Sequence, residues 1–322
     1  MSNEFDTEVY MNTIQRLKEN MEKVIVGKSR VIDLVLTTLV AEGHVLLEDM
    51  PGSGKTMLAK SLARSMDVPF ARVQMTPDLL PSDVTGLNVY NMKNGEFEFH
   101  PGPVFTNVLL ADEINRATPR TQASLLECME EKQITVDGVT RKLEKPFLVI
   151  ATQNPIETSG TFPLPEAQLD RFMMRLSMGS MEAEQELEIL ERYRTNNPLE
   201  ELEAVATVEE IRELQKAYRN VYIHPELVSY LQQICMATRK RKEIRVGVSV
   251  RGTLTLMRAA QAYAMVNGRN YVVPEDVKAL VVPVLAHRLV MEGNYYLQNA
   301  AIAQLEQITK EIPVPTEEWE KA

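Results

Sequence analysis

The sequence predicts an α/β fold: a parallel sheet sandwiched by helices, interrupted by two β-hairpins and followed by an all-helical domain. Three observations carry this. Short apolar runs at 44–48, 108–111 and 147–151 read as strands, the last two unbroken enough to be buried on both faces of a parallel sheet. Alternating stretches flank Asn94-Gly95 and Asp137-Gly138, dipeptides suited to the positive φ angles of tight hairpins. Beyond about Met178 strand signals almost vanish and helical periodicity takes over.

In chain order, Val9, Ile14, Leu17 and Met21 give an amphipathic helix over about 7–23, broken at Val24–Lys28. Ser29 is placed to cap a second helix running to about Glu42, with Gly43 as its stop. The strand His44–Glu48 follows, then a Pro/Gly loop, then a helix in which Leu58, Leu62 and Met66 keep a four-residue step. Phe70–Val73 is a second strand, left through a Pro-rich loop at 74–81. Val108–Ala111 ends in Asp112-Glu113, and Phe147–Ala151 ends in Thr152-Gln153-Asn154-Pro155. Helices are expected at about 182–195, 208–219, 225–240, 250–266, 274–288 and 294–310. Thr207 with Glu210 matches a capping box, and Pro225 and Pro274 sit where a first-turn proline is tolerated. The expected division is therefore 1–179 for the α/β domain, 180–311 for the helical domain and 312–322 for a loosely held tail.

With 322 residues, 44% of them hydrophobic, the chain can bury an ample core in about two domains. No apolar run approaches the ~18 residues of a membrane span, and the acidic start Met1–Asp6 is unlike a signal peptide, so a cytoplasmic location is expected. Cys128 and Cys235, far apart and within helical stretches, fit reduced core thiols. A net charge of −10 argues against general affinity for nucleic acid. The basic run Arg239–Lys242 ends an expected helix, where cations favour the negative end of the dipole.

Chemistry concentrates beyond the strand ends. In Pro51-Gly52-Ser53-Gly54-Lys55-Thr56, successive backbone N–H groups can point at an anion, helped by the positive end of the next helix. Lys55 then reaches β- and γ-phosphates, and Thr56 offers its hydroxyl to Mg²⁺. The loop departs from G-x-x-x-x-G-K-[ST] at its first position, where Asp49 stands in place of glycine. Phosphoryl transfer to water also needs a carboxylate for the metal, a group to position the water, and positive charge. Asp112 can hold Mg²⁺ through its water shell and Glu113 can polarise the water, although Asp-Glu also suits an ordinary solvated strand exit. Asn154 can contact water and γ-phosphate, or serve as a turn-forming Asn-Pro. Ligands in open α/β sheets bind beyond the carboxyl ends of the strands, so these groups converge on one crevice. Arg171 and Arg251 are lone arginines that composition alone would leave on the surface.

The phosphate loop, Leu109-Leu110-Ala111-Asp112-Glu113-Ile114-Asn115-Arg116-Ala117, Ala151–Pro155, Glu166–Phe172 and Ser249–Gly252 resemble, in order and spacing, the MoxR family of AAA+ ATPases over nearly the whole chain. The Asp49 departure is also similar to that family. The resemblance implies Walker A at Gly52, Gly54, Lys55 and Thr56, with Pro51 and Ser53 in the same loop, and Walker B at Asp112 and Glu113. It further implies sensor 1 at Asn154, a finger acting on the neighbouring subunit at Arg171, and sensor 2 at Arg251. The two hairpins resemble that family's helix-2 insert and pre-sensor-1 hairpin, and Val26-Gly27 the stretch lining adenine. Cofactors implied are ATP and Mg²⁺. The partners implied are further copies of the chain in a ring, expected to be a hexamer, and a client protein, often with a von Willebrand factor A domain and sometimes receiving a metal cofactor. Two rivals stand beside this reading: a DNA-dependent motor, and a nucleotide-gated scaffold without turnover. A GTPase would need an Asn/Thr-Lys-x-Asp motif, which the chain lacks.

Overall fold

The computed structural model describes residues 7–50, 52–155, 160–293 and 298–315. Pro51 and the tail from 316 onward lie outside the described residues. Helices α1 (Thr7–Glu22) and α2 (Ser29–Val40) precede strand β1 (Val45–Glu48), which turns through the glycine loop into α3 (Lys55–Ser65). Strand β2 (Phe70–Gln74) and the short α4 (Pro81–Thr85) lead to the hairpin β3 (Gly86–Asn91) and β4 (Glu96–Pro101). Next come β5 (Val108–Asp112), α5 (Pro119–Glu131), the hairpin β6 (Gln133–Val136) and β7 (Val139–Lys142), β8 (Leu148–Gln153), α6 (Glu166–Leu169) and β9 (Met174–Leu176). The remainder comprises α7 (Ala183–Tyr193), α8 (Val208–Ala217), α9 (Pro225–Thr238), β10 (Ile244–Val246), α10 (Val250–Val266), α11 (Pro274–Leu285), β11 (Val290–Met291) and α12 (Gln298–Glu311).

The central sheet runs β2-β5-β8-β1-β9, with every pairing parallel. Successive side chains in a strand point to opposite faces, and this splits the core in two. Val45 and Leu47, Val108 and Leu110, and Leu148 and Ile150 join one cluster with α1, α2 and α3. Leu46, Leu109, Ala111, Val149 and Ala151 join the other, against α5. The first cluster does not stop at the sheet. Ile211, Leu214, Leu256 and Leu280, from helices after residue 180, pack into it as well. Those helices are therefore seated on α1 and α2 and share their core.

Several local expectations change. Ser29 is the first residue of α2 rather than its cap; Lys28 takes that place and makes no side-chain cap bond. Glu42, not Gly43, adopts the left-handed turn after α2, at φ 55°. Gly43 is needed for a different reason: a Cβ there would lie 2.6 Å from Met173 Cβ. The first hairpin closes through four residues, because its last pair is Asn91↔Glu96, and only Gly95 of that loop has positive φ. The second closes through Asp137-Gly138, both with positive φ, as a two-residue turn requires. Strands β9, β10 and β11 were not anticipated, being only two or three residues long, too short to show a period.

The Thr207 capping box forms, with Glu210 N–H donating to Thr207 Oγ1 at 3.2 Å and Thr207 N–H to Glu210 Oε2 at 2.7 Å. Cys128 and Cys235 are buried free thiols. Arg239 follows the last residue of α9 and donates to Val248 O, and Arg241 pairs with Glu311. Among the described residues no helix is long and apolar enough to cross a membrane.

Candidate active site

β1 delivers the chain to the glycine loop, where Gly52 and Gly54 take φ of 83° and 89°, a backbone that a side chain would strain. Gly54 directly precedes α3, so the N–H groups of that helix's first turn, unpaired within the helix, face the loop. Lys55 Nζ donates to the main-chain oxygens of Asp49 and Met50, each at 2.9 Å. β1, β5 and β8 are parallel neighbours, so their carboxyl ends open on the same side. There, Gly52, Ser53, Gly54, Lys55, Thr56, Asp112, Glu113 and Asn154 line one cavity of about 400 Å³. Among the described residues, the site residues expected from separate stretches of sequence thus meet, apart from Arg171, Arg251 and the Val26-Gly27 pair.

A second, apolar cavity of about 330 Å³ adjoins the glycine loop, between Val24, Ile25, Val26 and Met57 on one side and Met178, Met181, Ile189 and Tyr193 on the other. Val26 lines it. Gly27 packs elsewhere: a Cβ there would stand 2.3 Å from Gln185 Nε2, so the missing side chain lets α7 approach.

The two carboxylates are held by residues the sequence did not single out. Thr152 Oγ1 donates to Asp112 Oδ1 at 2.5 Å and accepts from the Glu113 N–H at 2.8 Å. Arg72 Nη2 lies 2.6 Å from Asp112 Oδ2. Gln74 Nε2 donates to Glu113 Oε2 at 2.8 Å, and Arg116 Nε lies 3.0 Å from the same oxygen. Arg72 and Gln74 share a face of β2, two residues apart, and β2 lies beside β5. Only that adjacency gives them meaning. Glu113 itself sits at φ 56°, an unusual conformation for a side chain of its size, and the bond from its N–H to Thr152 helps hold it there.

His44, at the head of β1, is buried, and burial lowers its pKa to about 4. Its Nδ1 accepts from Val149 N–H at 3.0 Å, which leaves Nε2 to donate to Met129 O at 3.0 Å. The neutral ring therefore ties β8 to α5 under the site.

Neither Arg171 nor Arg251 lines the cavity. They meet at Glu130 on α5, with Arg171 Nε 3.2 Å from Oε2 and Arg251 Nη2 2.8 Å from Oε1. Asp170 faces Arg251 Nε at 3.9 Å and Arg288 Nε at 2.7 Å.

Comparison with known proteins agrees with this geometry. The family described as "ATPase family associated with various cellular activities (AAA)" matches residues 44–174, and "AAA lid domain" matches 236–312. The chain is 47% identical to the uncharacterized protein YeaC of Bacillus subtilis, over 91% of each chain. It is 39% identical to Chaperone MoxR1 of Mycobacterium tuberculosis, over 87% of this chain and 76% of that protein. With Protein MoxR of Paracoccus denitrificans it shares 33% identity over 91% of this chain and 93% of that protein. The crystal structure of a candidate ATPase from Cytophaga hutchinsonii superposes with a TM-score of 0.88 at 38% identity, covering 96% of this chain and 97% of that one.

Proposed function

The chain belongs to the MoxR family of AAA+ ATPases, and on that premise we propose that it hydrolyses ATP in the cavity bounded by Lys55, Asp112, Glu113 and Asn154, working as a ring that remodels a client protein. The observation that carries this is the convergence of a glycine loop, a lysine, two carboxylates and an asparagine on one cavity, beside an apolar cavity suited to a base.

Among the described residues, no group hydrogen-bonds the buried Ser53 Oγ at the rim of both cavities, as suits a loop that takes its ligand there. Thr56 and Asp112 offer the sparse oxygen set with which magnesium binds when phosphates and water complete its shell. A magnesium ion held by them would neutralise charge on the β- and γ-phosphates. Lys55 neutralises phosphate charge in the ground state, and the loop N–H groups orient the chain of phosphates. Glu113, set by Gln74 and Thr152, draws the proton side of the attacking water, and Asn154 fixes that water against the γ-phosphate. Arg171 stands apart from its own cavity and serves the γ-phosphate of the next subunit, while Arg251, which shares Glu130 with it, takes the sensor 2 role.

The division at 1–179, 180–311 and 312–322 belongs to this reading, as does a cytoplasmic location. The client role rests on the chaperone naming of a relative at 39% identity. A von Willebrand factor A domain protein, and insertion of a metal cofactor into it, are the specific form proposed for that role. Phosphate release from ATP against GTP, with sedimentation in the presence of ATP, tests the proposal. ATP-specific turnover by a sedimenting ring is expected. Absence of nucleotide binding would overturn it.

A further inference from the structure

Where this chain departs from the strict phosphate-loop pattern, the replacing side chain is engaged at both oxygens. Asp49 Oδ1 accepts from Ser177 Oγ at 2.7 Å, and Oδ2 from Met178 N–H at 2.6 Å. Hydrogen bonds to an ionised acceptor are about twice as strong as neutral ones. The main-chain oxygen of the same residue accepts from Lys55 Nζ at 2.9 Å. One residue therefore contacts the phosphate lysine with its backbone and a distant segment with its side chain.

That segment leads directly into α7. The parallel pairing of β1 with β9 ends at Leu47↔Leu176, so the carboxylate prolongs the contact past the last paired residues. Ser177 Oγ also accepts from Gly179 N–H at 3.0 Å, closing a turn in which Gly179 has φ 69°. Met178, within the turn, is buried and lines the apolar cavity beside the glycine loop. α7 begins at Ala183 and contributes Ile189 and Tyr193 to the far wall of that cavity.

We propose that Asp49 is a positioning residue that couples the phosphate loop to the hinge of α7, so that a ligand on the loop sets the position of the helix. The inference rests on reading the cavity as an ATP site. Glycine at this position would keep the main-chain contact with Lys55 and lose both bonds to the hinge. Asp49→Gly restores the strict motif, yet it is expected to bind nucleotide and fail to transmit it.

The test is hydrogen exchange across residues 177–193 with and without ADP, together with steady-state kinetics. In the wild type, ADP slows exchange in this segment. In Asp49→Gly, ADP affinity and KM should stay within about threefold of wild type, while the ADP-dependent slowing disappears and kcat falls about tenfold. Ser177→Ala should show a smaller loss of the same kind. Ser177→Ala removes one of the two bonds that Asp49→Gly removes, together with the Gly179 contact, so the double variant should fall short of the sum of the two single effects, as coupled sites require. Wild-type slowing and kcat in Asp49→Gly would overturn the proposal, and so would faster exchange that is equal with and without ADP, which marks a merely structural contact. Simple addition of the two variants' effects would overturn it too. If the wild type binds no ADP, the ATP reading itself fails and takes this inference with it.

Discussion

The phosphate cavity and the arginine edge are both built from charged side chains, yet they are assembled differently. In the cavity the groups come from the glycine loop, the first turn of α3, and the neighbouring strands β2, β5 and β8 with the residues just after them. At the edge, Glu130, Asp170 and Arg171, Arg251, and Arg288 come from four separate stretches, two of them in the helices after residue 180. The two clusters also differ in balance. Three guanidinium groups share two carboxylates at the edge, and they are not equivalent. The Arg288 side chain is 3% exposed and also donates to Phe172 O at 2.8 Å, whereas Arg171 and Arg251 are 29% and 52% exposed. A buried arginine bound on all sides is a structural pin. The two accessible ones are available to a partner. The cavity gathers the groups that can meet a phosphate, whereas the edge leaves two guanidinium groups within reach of solvent.

If the edge completes a neighbour's cavity, Arg171→Ala should show the largest effect. Turnover is expected to fall by about 10³ or more, the range of arginine fingers, with ATP binding unchanged. Mixed with Lys55→Ala chains it should recover part of the activity, since some interfaces would then pair an intact loop with an intact finger. Phosphate release from mixed rings checks this. Silence after proven subunit exchange would break the comparison. Within the cavity, Glu113→Gln is expected to slow hydrolysis by about 10²- to 10⁴-fold while retaining ATP, whereas Lys55→Ala loses affinity. Equal loss of nucleotide binding in both, measured by equilibrium titration, would remove the division of roles.

His44 joins the two regions, because its Nε2–H holds Met129 O, next to Glu130, while Nδ1 holds β8. Its pKa in the fold, about 4, lies below the ordinary 6.5, so the unfolded chain takes up the proton first as pH falls. The stabilisation is complete above about pH 6.5 and is lost toward pH 4, amounting to about 3 kcal/mol. Denaturant unfolding at several pH values should show this slope, and His44→Gln should flatten it. The flattening will be partial, because buried His287 is shifted in the same direction by its burial and by Arg288. The smallest effect is expected for Thr152→Val, which leaves the Glu113 N–H unpaired at a cost of about 1–3 kcal/mol. It should slow turnover without disturbing rescue in mixed rings, since the edge does not touch Thr152.

Much of the cavity was legible beforehand because its parts are contiguous. A glycine pair, a lysine and a helix start lie within five positions, and their geometry follows from φ angles and helix dipoles that neighbours set. The same holds for Asp112-Glu113 after an apolar strand. The partners of those carboxylates were hidden. Arg72 and Gln74 reach them only because β2 lies beside β5, and Thr152 only because β8 flanks β5 on the other side.

What the sequence determined alone was therefore local: most of the segments that pleat or coil, where Gly52 and Gly54 leave the loop backbone free to point its N–H groups at an anion, and which residue types can meet a phosphate. It also marked Asp49 as a departure without saying what the carboxylate does. Tertiary structure decided the strand order, the meeting of Glu130 with Arg171 and Arg251, and the reach of Asp49 to Ser177 and Met178. These depend on which apolar faces can be buried against one another, a property of the whole chain that no short stretch contains.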